Sequence, residues 1–171
     1  MRRTITVLAV VVLLVALSAG AALAATLIGT GAPETLVGTS NNDTIEGRGG
    51  GDALYGMGGK DRVAGGGGAD LIRGGPGNDE PGFEIGPAAK GLYGGLGGDA
   101  VYGEGGNDVV EGGAGGDQLN GETGNDYLNG ISGESTDTLD RINCGGGTDT
   151  VDASRRDFVA SSCETVRRHS P

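Results

Sequence analysis

Gly47-Arg48-Gly49-Gly50-Gly51-Asp52-Ala53-Leu54-Tyr55, Gly56-Met57-Gly58-Gly59-Lys60-Asp61-Arg62-Val63-Ala64 and Gly65-Gly66-Gly67-Gly68-Ala69-Asp70-Leu71-Ile72-Arg73 are three consecutive copies of one nine-residue unit. Glycines come first, an aspartate is sixth and an aliphatic residue is eighth. Such a period marks a repeat architecture, in which each unit buries its apolar residue only against its neighbours. Gly makes up 39 of 171 residues, about three times the usual share of roughly 7 per cent. Collagen is excluded, because it needs Gly at every third position. Plain disorder gives no reason for an aliphatic residue at a fixed ninth spacing.

The unit extends both ways from this stretch. Residues 29–37 carry Glu34 in the acidic slot, and residues 38–46 carry Asp43 and Ile45. A sixth copy opens with Gly74 and reaches Asp79, then meets Pro81 in the aliphatic slot. Pro81-Gly82 and Gly86-Pro87 are turn signals. The phase is restored by two extra residues and a degenerate copy at 85–93, with Lys90 in the acidic slot and Leu92 in the aliphatic one. Four regular copies follow, carrying Asp99 and Val101, Asp108 and Val110, Asp117 and Leu119, and Asp126 and Leu128. Residues 130–140 take two more extra residues to align Asp137 and Leu139. The last copy, 144–152, carries Asp149 and Val151.

Three segments result. Residues 1–24 read as a secretory signal peptide: Arg2 and Arg3, an apolar run, then Ala22-Leu23-Ala24 before the cut. Residues 25–152 form the repeat domain, irregular at 80–93 and 130–143. Residues 153–171 form a cap and tail, since a repeat stack needs an atypical end. In an exported chain the two cysteines, Cys144 and Cys163, read as a disulfide tying cap to last repeat.

In each copy the residues around the eighth position have strand character. Side chains alternate along a strand, so the eighth points inward and the seventh and ninth outward. The glycines form the corners, because positive φ is open to them. Two copies then make one revolution, and stacked coils pair in parallel around a thin core of Ile45, Leu54, Val63, Ile72, Leu92, Val101, Val110, Leu119, Leu128, Leu139 and Val151. One expected acidic column is Asp43, Asp61, Asp79, Asp99, Asp117 and Asp137. The other is Glu34, Asp52, Asp70, Lys90, Asp108, Asp126 and Asp149. Rungs lie about 4.7–4.9 Å apart, so like charges repel unless a cation lies between them. Hard oxygen donors and bent turns suit Ca²⁺ better than Mg²⁺, which demands stricter octahedral geometry. Zn²⁺ prefers Cys and His, and His169 is the lone histidine.

The unit resembles the RTX, or haemolysin-type, calcium-binding repeat, G-G-x-G-x-D-x-U-x, over residues 29–152. The resemblance implies an all-β, right-handed parallel β-roll with Ca²⁺ between successive Gly-Asp turns. Its Asp position falls on Asp43, Asp52, Asp61, Asp70, Asp79, Asp99, Asp108, Asp117, Asp126 and Asp149, with about eight ions expected. Lys90 is expected to interrupt the ladder, its ammonium partly standing in for a cation.

The net charge of −11 becomes −13 in the mature chain, because Arg2 and Arg3 leave with the signal peptide. Such an acidic chain is ill suited to nucleic acid. No catalytic cluster stands out, and the phosphate-loop and dinucleotide fingerprints are incomplete. The expected function is a secreted, non-enzymatic calcium-binding protein that folds on Ca²⁺, with no membrane span after signal removal and a structural or surface-interaction role. An adhesin or polysaccharide-binding module of the cell envelope is the alternative, and an accessory module of a secreted enzyme a lesser one. Tyr55, Tyr93 and Tyr102 share the outward ninth slot. Cross-strand contacts are the simpler reading of them, a platform for sugar rings the sharper one.

Overall fold

The computed structural model describes residues 23–79, 91–131 and 138–169. The expected signal peptide therefore lies almost wholly outside the described residues. Among those residues no helix is long and apolar enough to cross a membrane.

Every strand but the last, which is exposed throughout, is built on an inward aliphatic side chain. In chain order the strands are β1 (Thr26–Ile28), β2 (Thr35–Val37), β3 (Thr44–Gly49), β4 (Ala53–Tyr55), β5 (Arg62–Gly67), β6 (Leu71–Pro76), β7 (Leu92–Leu96) and β8 (Ala100–Gly105). They continue as β9 (Val109–Ala114), β10 (Gln118–Thr123), β11 (Tyr127–Asn129), β12 (Arg141–Gly146), β13 (Thr150–Ser154), β14 (Phe158–Val159) and β15 (Thr165–His169). Odd-numbered strands form one eight-stranded sheet and even-numbered strands a seven-stranded sheet. All pairings are parallel, as in Thr44↔Arg62 and Ala53↔Leu71. The chain thus winds through both sheets once per coil, giving the parallel β-roll.

The eighth-position side chains of the two sheets meet between them. Ile45, Leu54, Val63, Ile72, Leu92, Val101, Val110, Leu119, Leu128 and Val151 are buried, with Cys144 and Ala153 in the same cluster. Leu27 and Leu36 close one end as half-covered side chains, Val159 and Cys163 the other.

The two irregular stretches correct the expected phase. Val63 pairs with Leu92 and Ile72 with Val101. Leu92 is therefore the eighth residue of the copy that began at Gly74, and residues 80–90 are a single insertion between Asp79 and its strand. The acid rungs run directly from Asp70 to Asp99 and from Asp79 to Asp108, which leaves no rung for the expected Lys90 copy; Lys90 itself lies outside the described residues. The physical reason is hydrogen bonding. Each rung must offer an acceptor to the backbone N–H one coil away, as shown below, and lysine has none. At the second irregularity Leu119 pairs with Ile142, not Leu139. Ile142 is 1% exposed and Leu139 is 56% exposed. Asp140 takes the place expected of Asp137, which lies outside the described residues.

The tyrosines are separated too. Tyr55 and Tyr102 lie on the even-numbered sheet, on either side of Arg73 in register, whereas Tyr93 lies on the odd-numbered sheet opposite Ala64 and Glu111. The cap is covalently joined as expected: Cys144 and Cys163 form a disulfide with a Cα separation of 5.2 Å.

Candidate metal centre

Each sixth-position acid sits where a turn delivers the chain into a strand, so the acids stack along both edges of the roll. Before the odd-numbered strands the stack is Asp43, Asp61, Asp79, Asp108, Asp126, Asp149 and Glu164. Before the even-numbered strands it is Glu34, Asp52, Asp70, Asp99, Asp117, Asp140 and Asp157. These memberships replace the expected columns: Asp70 neighbours Asp99 directly, and Asp79 neighbours Asp108. The ten sequence-predicted aspartates are all buried within the two stacks.

Three of the four polar groups on a rung are satisfied by its neighbours. The Asp43 N–H donates to Asp61 Oδ1 at 2.8 Å, and the Asp52 N–H to Asp70 Oδ1 at 2.8 Å. The same bond repeats up both stacks. The rung carbonyls accept from the next coil, as Asp52 O does from the Leu71 N–H at 2.8 Å. What remains is Oδ2. On Asp52, Asp61, Asp70, Asp79, Asp99, Asp117, Asp126 and Asp149 it is buried and accepts no hydrogen bond. A buried acceptor without a partner is costly, more so when it carries charge.

The turn explains which rungs are left this way. The second residue of each unit precedes its acid by four. Before those eight aspartates it is Arg48 (φ 75°), Met57 (82°), Gly66 (105°), Gly75 (105°), Gly95 (122°), Gly113 (102°), Glu122 (74°) and Gly145 (98°). In the first coil it is Thr30 or Thr39, outside the positive-φ region, and its N–H donates to the acid: Thr30 to Glu34 Oε2 at 2.6 Å, Thr39 to Asp43 Oδ2 at 2.5 Å. At the far end the Ser154 N–H donates to Asp157 Oδ2 at 2.7 Å. A left-handed second residue thus removes the donor that would otherwise satisfy Oδ2.

The first glycine completes the arrangement. A Cβ on Gly47 would lie 2.5 Å from both Asp52 Oδ2 and the Gly65 carbonyl oxygen of the next coil. A Cβ on Gly38 would meet Asp43 Oδ2 and Gly56 O at the same distance. Carboxylate and carbonyl oxygens therefore face the open side of a residue with no side chain. Among the described residues no three His, Cys, Asp or Glu side chains converge, so a cation here would depend on backbone carbonyls for its remaining ligands. A hard, oxygen-bound cation fits this donor set.

The protonation equilibria agree. Burial raises Asp61 and Asp126 to about 6, and Asp79 and Asp99 to about 7, with neighbouring rungs adding repulsion. Burial also raises Asp52, Asp70 and Asp117. These carboxylates resist carrying charge unless a cation compensates it.

The sequence matches the RTX calcium-binding nonapeptide repeat (4 copies) over residues 28–63, 55–80 and 92–130, together more than half of the chain. The chain belongs to the RTX calcium-binding repeat family. It is a calcium-binding repeat protein, and the matched segments carry most of the orphaned carboxylates. No curated relative and no solved structure matches the chain.

Sequence reasoning missed three rungs of this RTX roll: Asp140, Asp157 and Glu164. Asp140 was within reach, lying nine residues before Asp149. Asp157 and Glu164 follow shortened turns, and no periodic signal marks them. A second cluster was also missed. Tyr127 Oη donates to Asp152 Oδ2 at 2.5 Å, with His169 Nε2 at 3.3 Å and Arg167 at 3.9 Å from Asp152 Oδ1. Burial, then the Asp152 hydrogen bond, pushes Tyr127 up to about 12. Burial opposes charge on Asp152, but the Tyr127 and His169 hydrogen bonds and Arg167 outweigh it and hold its pKa down. The cluster joins β15 to β11 across β13 and so fastens the cap.

Proposed function

We propose that this chain is an exported module that folds when Ca²⁺ fills its two acid stacks, and that it serves a structural or surface-interaction role in the cell envelope. The observation that carries this reading is the match between left-handed second residues and orphaned Oδ2 atoms. The turn gives up a backbone donor on those rungs, and a calcium ion compensates the loss. Ligands are assigned to Asp52, Asp61, Asp70, Asp79, Asp99, Asp108, Asp117, Asp126 and Asp149, with neighbouring turn carbonyls. Asp43 joins at the outer end, where Thr39 already donates to it. About eight ions follow from the rungs so arranged.

Binding to the folded form alone stabilises it by mass action. Without Ca²⁺, buried carboxylates with raised pKa oppose folding at neutral pH. An expanded chain suits passage across a membrane, and extracellular Ca²⁺ suits weak sites of the extracellular type. The disulfide supports an oxidising destination. A calcium titration followed by far-UV circular dichroism and elemental analysis tests the reading. A cooperative gain of β-structure with several ions bound is expected. Unchanged spectra between excess chelator and millimolar Ca²⁺ would overturn it.

A further inference from the structure

We propose that the outer face of the even-numbered sheet binds an acidic polysaccharide, centred on a cleft lined by Gln118, Asn120, Arg141, Asn143, Phe158 and Leu139. The proposal rests on the calcium reading, because this face exists only on the folded roll.

The two sheet faces differ in charge. The chain has 23 acidic residues. At the seventh and ninth positions the odd-numbered sheet carries Glu46, Glu111 and Asp152 together with Arg62 and Arg167, the last 3.9 Å from Asp152. The same positions of the even-numbered sheet, from β2 to β14, carry no carboxylate. They hold Tyr55, Arg73 and Tyr102 on adjacent strands, then Gln118 and Asn120, Arg141 and Asn143, and Phe158. Glu104 and Glu122 lie further along β8 and β10, at positive φ, and Glu104 is held by Arg73 at 2.8 Å. The Arg73 guanidinium also lies over the Tyr102 ring, 4.9 Å from its centroid.

The cleft continues this row and encloses about 620 Å³. Its chemistry is specific. Phe158 is 66% exposed and Leu139 56% exposed, giving flat apolar contact for the C–H face of a sugar ring. Gln118, Asn120 and Asn143 offer amide donors and acceptors that match ring hydroxyls. Arg141 offers a planar fork that matches a carboxylate. Strands recur about every 4.7–4.9 Å, close to the rise of one sugar in an extended chain, so successive strands present contacts to successive sugars. Calcium in the acid stacks removes the long-range repulsion that the metal-free chain would exert on any polyanion.

The test uses the calcium-loaded full chain and calorimetry with two probes: a hexagalacturonate and its fully methyl-esterified, uncharged counterpart. The free acid is expected to bind at least about tenfold more tightly than the ester, as a charge-assisted contact implies. Arg141→Glu is expected to lose binding about tenfold or more, and Phe158→Ala several-fold. Tyr93→Ala, on the other sheet, leaves binding unchanged. Glu122→Gln tightens it slightly. Circular dichroism of each variant in Ca²⁺ confirms the roll. Equal affinity for acid and ester means that no charge is recognised, and acid binding that survives Arg141→Glu means simple bridging through calcium; either result overturns the proposal. A folded, calcium-loaded roll that binds neither probe overturns the polysaccharide face while leaving the calcium reading intact. A chain that stays unfolded in Ca²⁺ overturns the calcium reading first.

Discussion

The first coil and the interior coils use one repeat with opposite consequences. In the first coil, Thr30 and Thr39 donate their backbone N–H groups to Glu34 and Asp43, and the acids are satisfied by the protein alone. In the interior, the second residue turns to positive φ and the acids keep a buried oxygen without a donor. The acids at the entrance are thus served by the protein's own donors, and those of the interior keep an oxygen that a cation could serve. One backbone dihedral, not the identity of the acid, separates the two regimes.

The largest expected effect breaks the interior alone. Each site is worth about 2.7 kcal/mol when Ca²⁺ stands a hundredfold above its Kd. Several such sites match or exceed the roughly 5–15 kcal/mol that holds a typical domain. Excess chelator at pH 7.5 is therefore expected to unfold the chain, read as loss of β-type ellipticity and of protease resistance. A metal-free chain that melts at the same temperature as the calcium form would refute the comparison.

Acid should partly mend what the chelator breaks. The interior aspartates have raised folded-state pKa values, to about 6 or 7 for Asp61, Asp126, Asp79 and Asp99. A raised carboxylate contributes stability that is fully present below its unfolded value and is lost as pH rises through the folded value. In chelator, the roll is expected to be more ordered at pH 5 than at pH 8. In Ca²⁺ the order reverses, because protons and calcium compete for the same oxygens. A pH-independent chelated state would contradict this assignment.

Glycine substitutions separate the regimes sterically. Gly47→Ala places a Cβ 2.5 Å from Asp52 Oδ2 and from the Gly65 backbone oxygen. A loss of roughly 2–4 kcal/mol is expected, with fewer ions bound. Gly31→Ala in the first coil meets nothing within 4 Å, and its stability should stay within about 0.5 kcal/mol of the parent. Equal losses for the pair would count against the cradle.

Charge removal is gentler. Asp79→Asn keeps an acceptor for the Asp61 N–H and removes the anionic oxygen, so one or two ions should be lost by elemental analysis with the roll retained. Asp43→Asn should change the count less, since Thr39 already serves that carboxylate. The smallest effect is a gain. Met57 holds φ 82° on an exposed turn, and Met57→Gly removes left-handed strain. About 0.5–1 kcal/mol of stabilisation is expected after the added chain entropy of glycine, visible as a small rise in melting temperature.

Much of this was legible in the residues. The nine-residue period gave the strands, the parallel coil and ten of the aspartates, because one inward aliphatic per unit admits few other folds. The period failed where insertions broke it. Counting back nine from Asp99 arrives at Lys90, a rung for which the direct step from Asp70 to Asp99 leaves no room. The decisive constraint was a hydrogen bond: a rung must accept from the N–H of the coil before. Lys90 fails that test on side-chain chemistry alone. Asp140 passes it and also lies in phase with Asp149. The split between satisfied and orphaned acids was not legible, since it depends on φ, and Arg48, Met57 and Glu122 hold a conformation their residue types disfavour. Nor was the meeting of Tyr127, Asp152 and His169, which depends on the coil being closed by a shortened turn.

The insertion between Asp79 and Leu92 has a further meaning. Eleven residues separate Asp79 from Gly91 in sequence, while Asp70 still reaches Asp99 and Asp79 still reaches Asp108. The roll measures itself in revolutions, not in residues. Doubling such an excursion costs only about 0.6 kcal/mol in loop closure. A guest peptide inserted between Asp79 and Gly91 is therefore expected to leave both acid stacks in register.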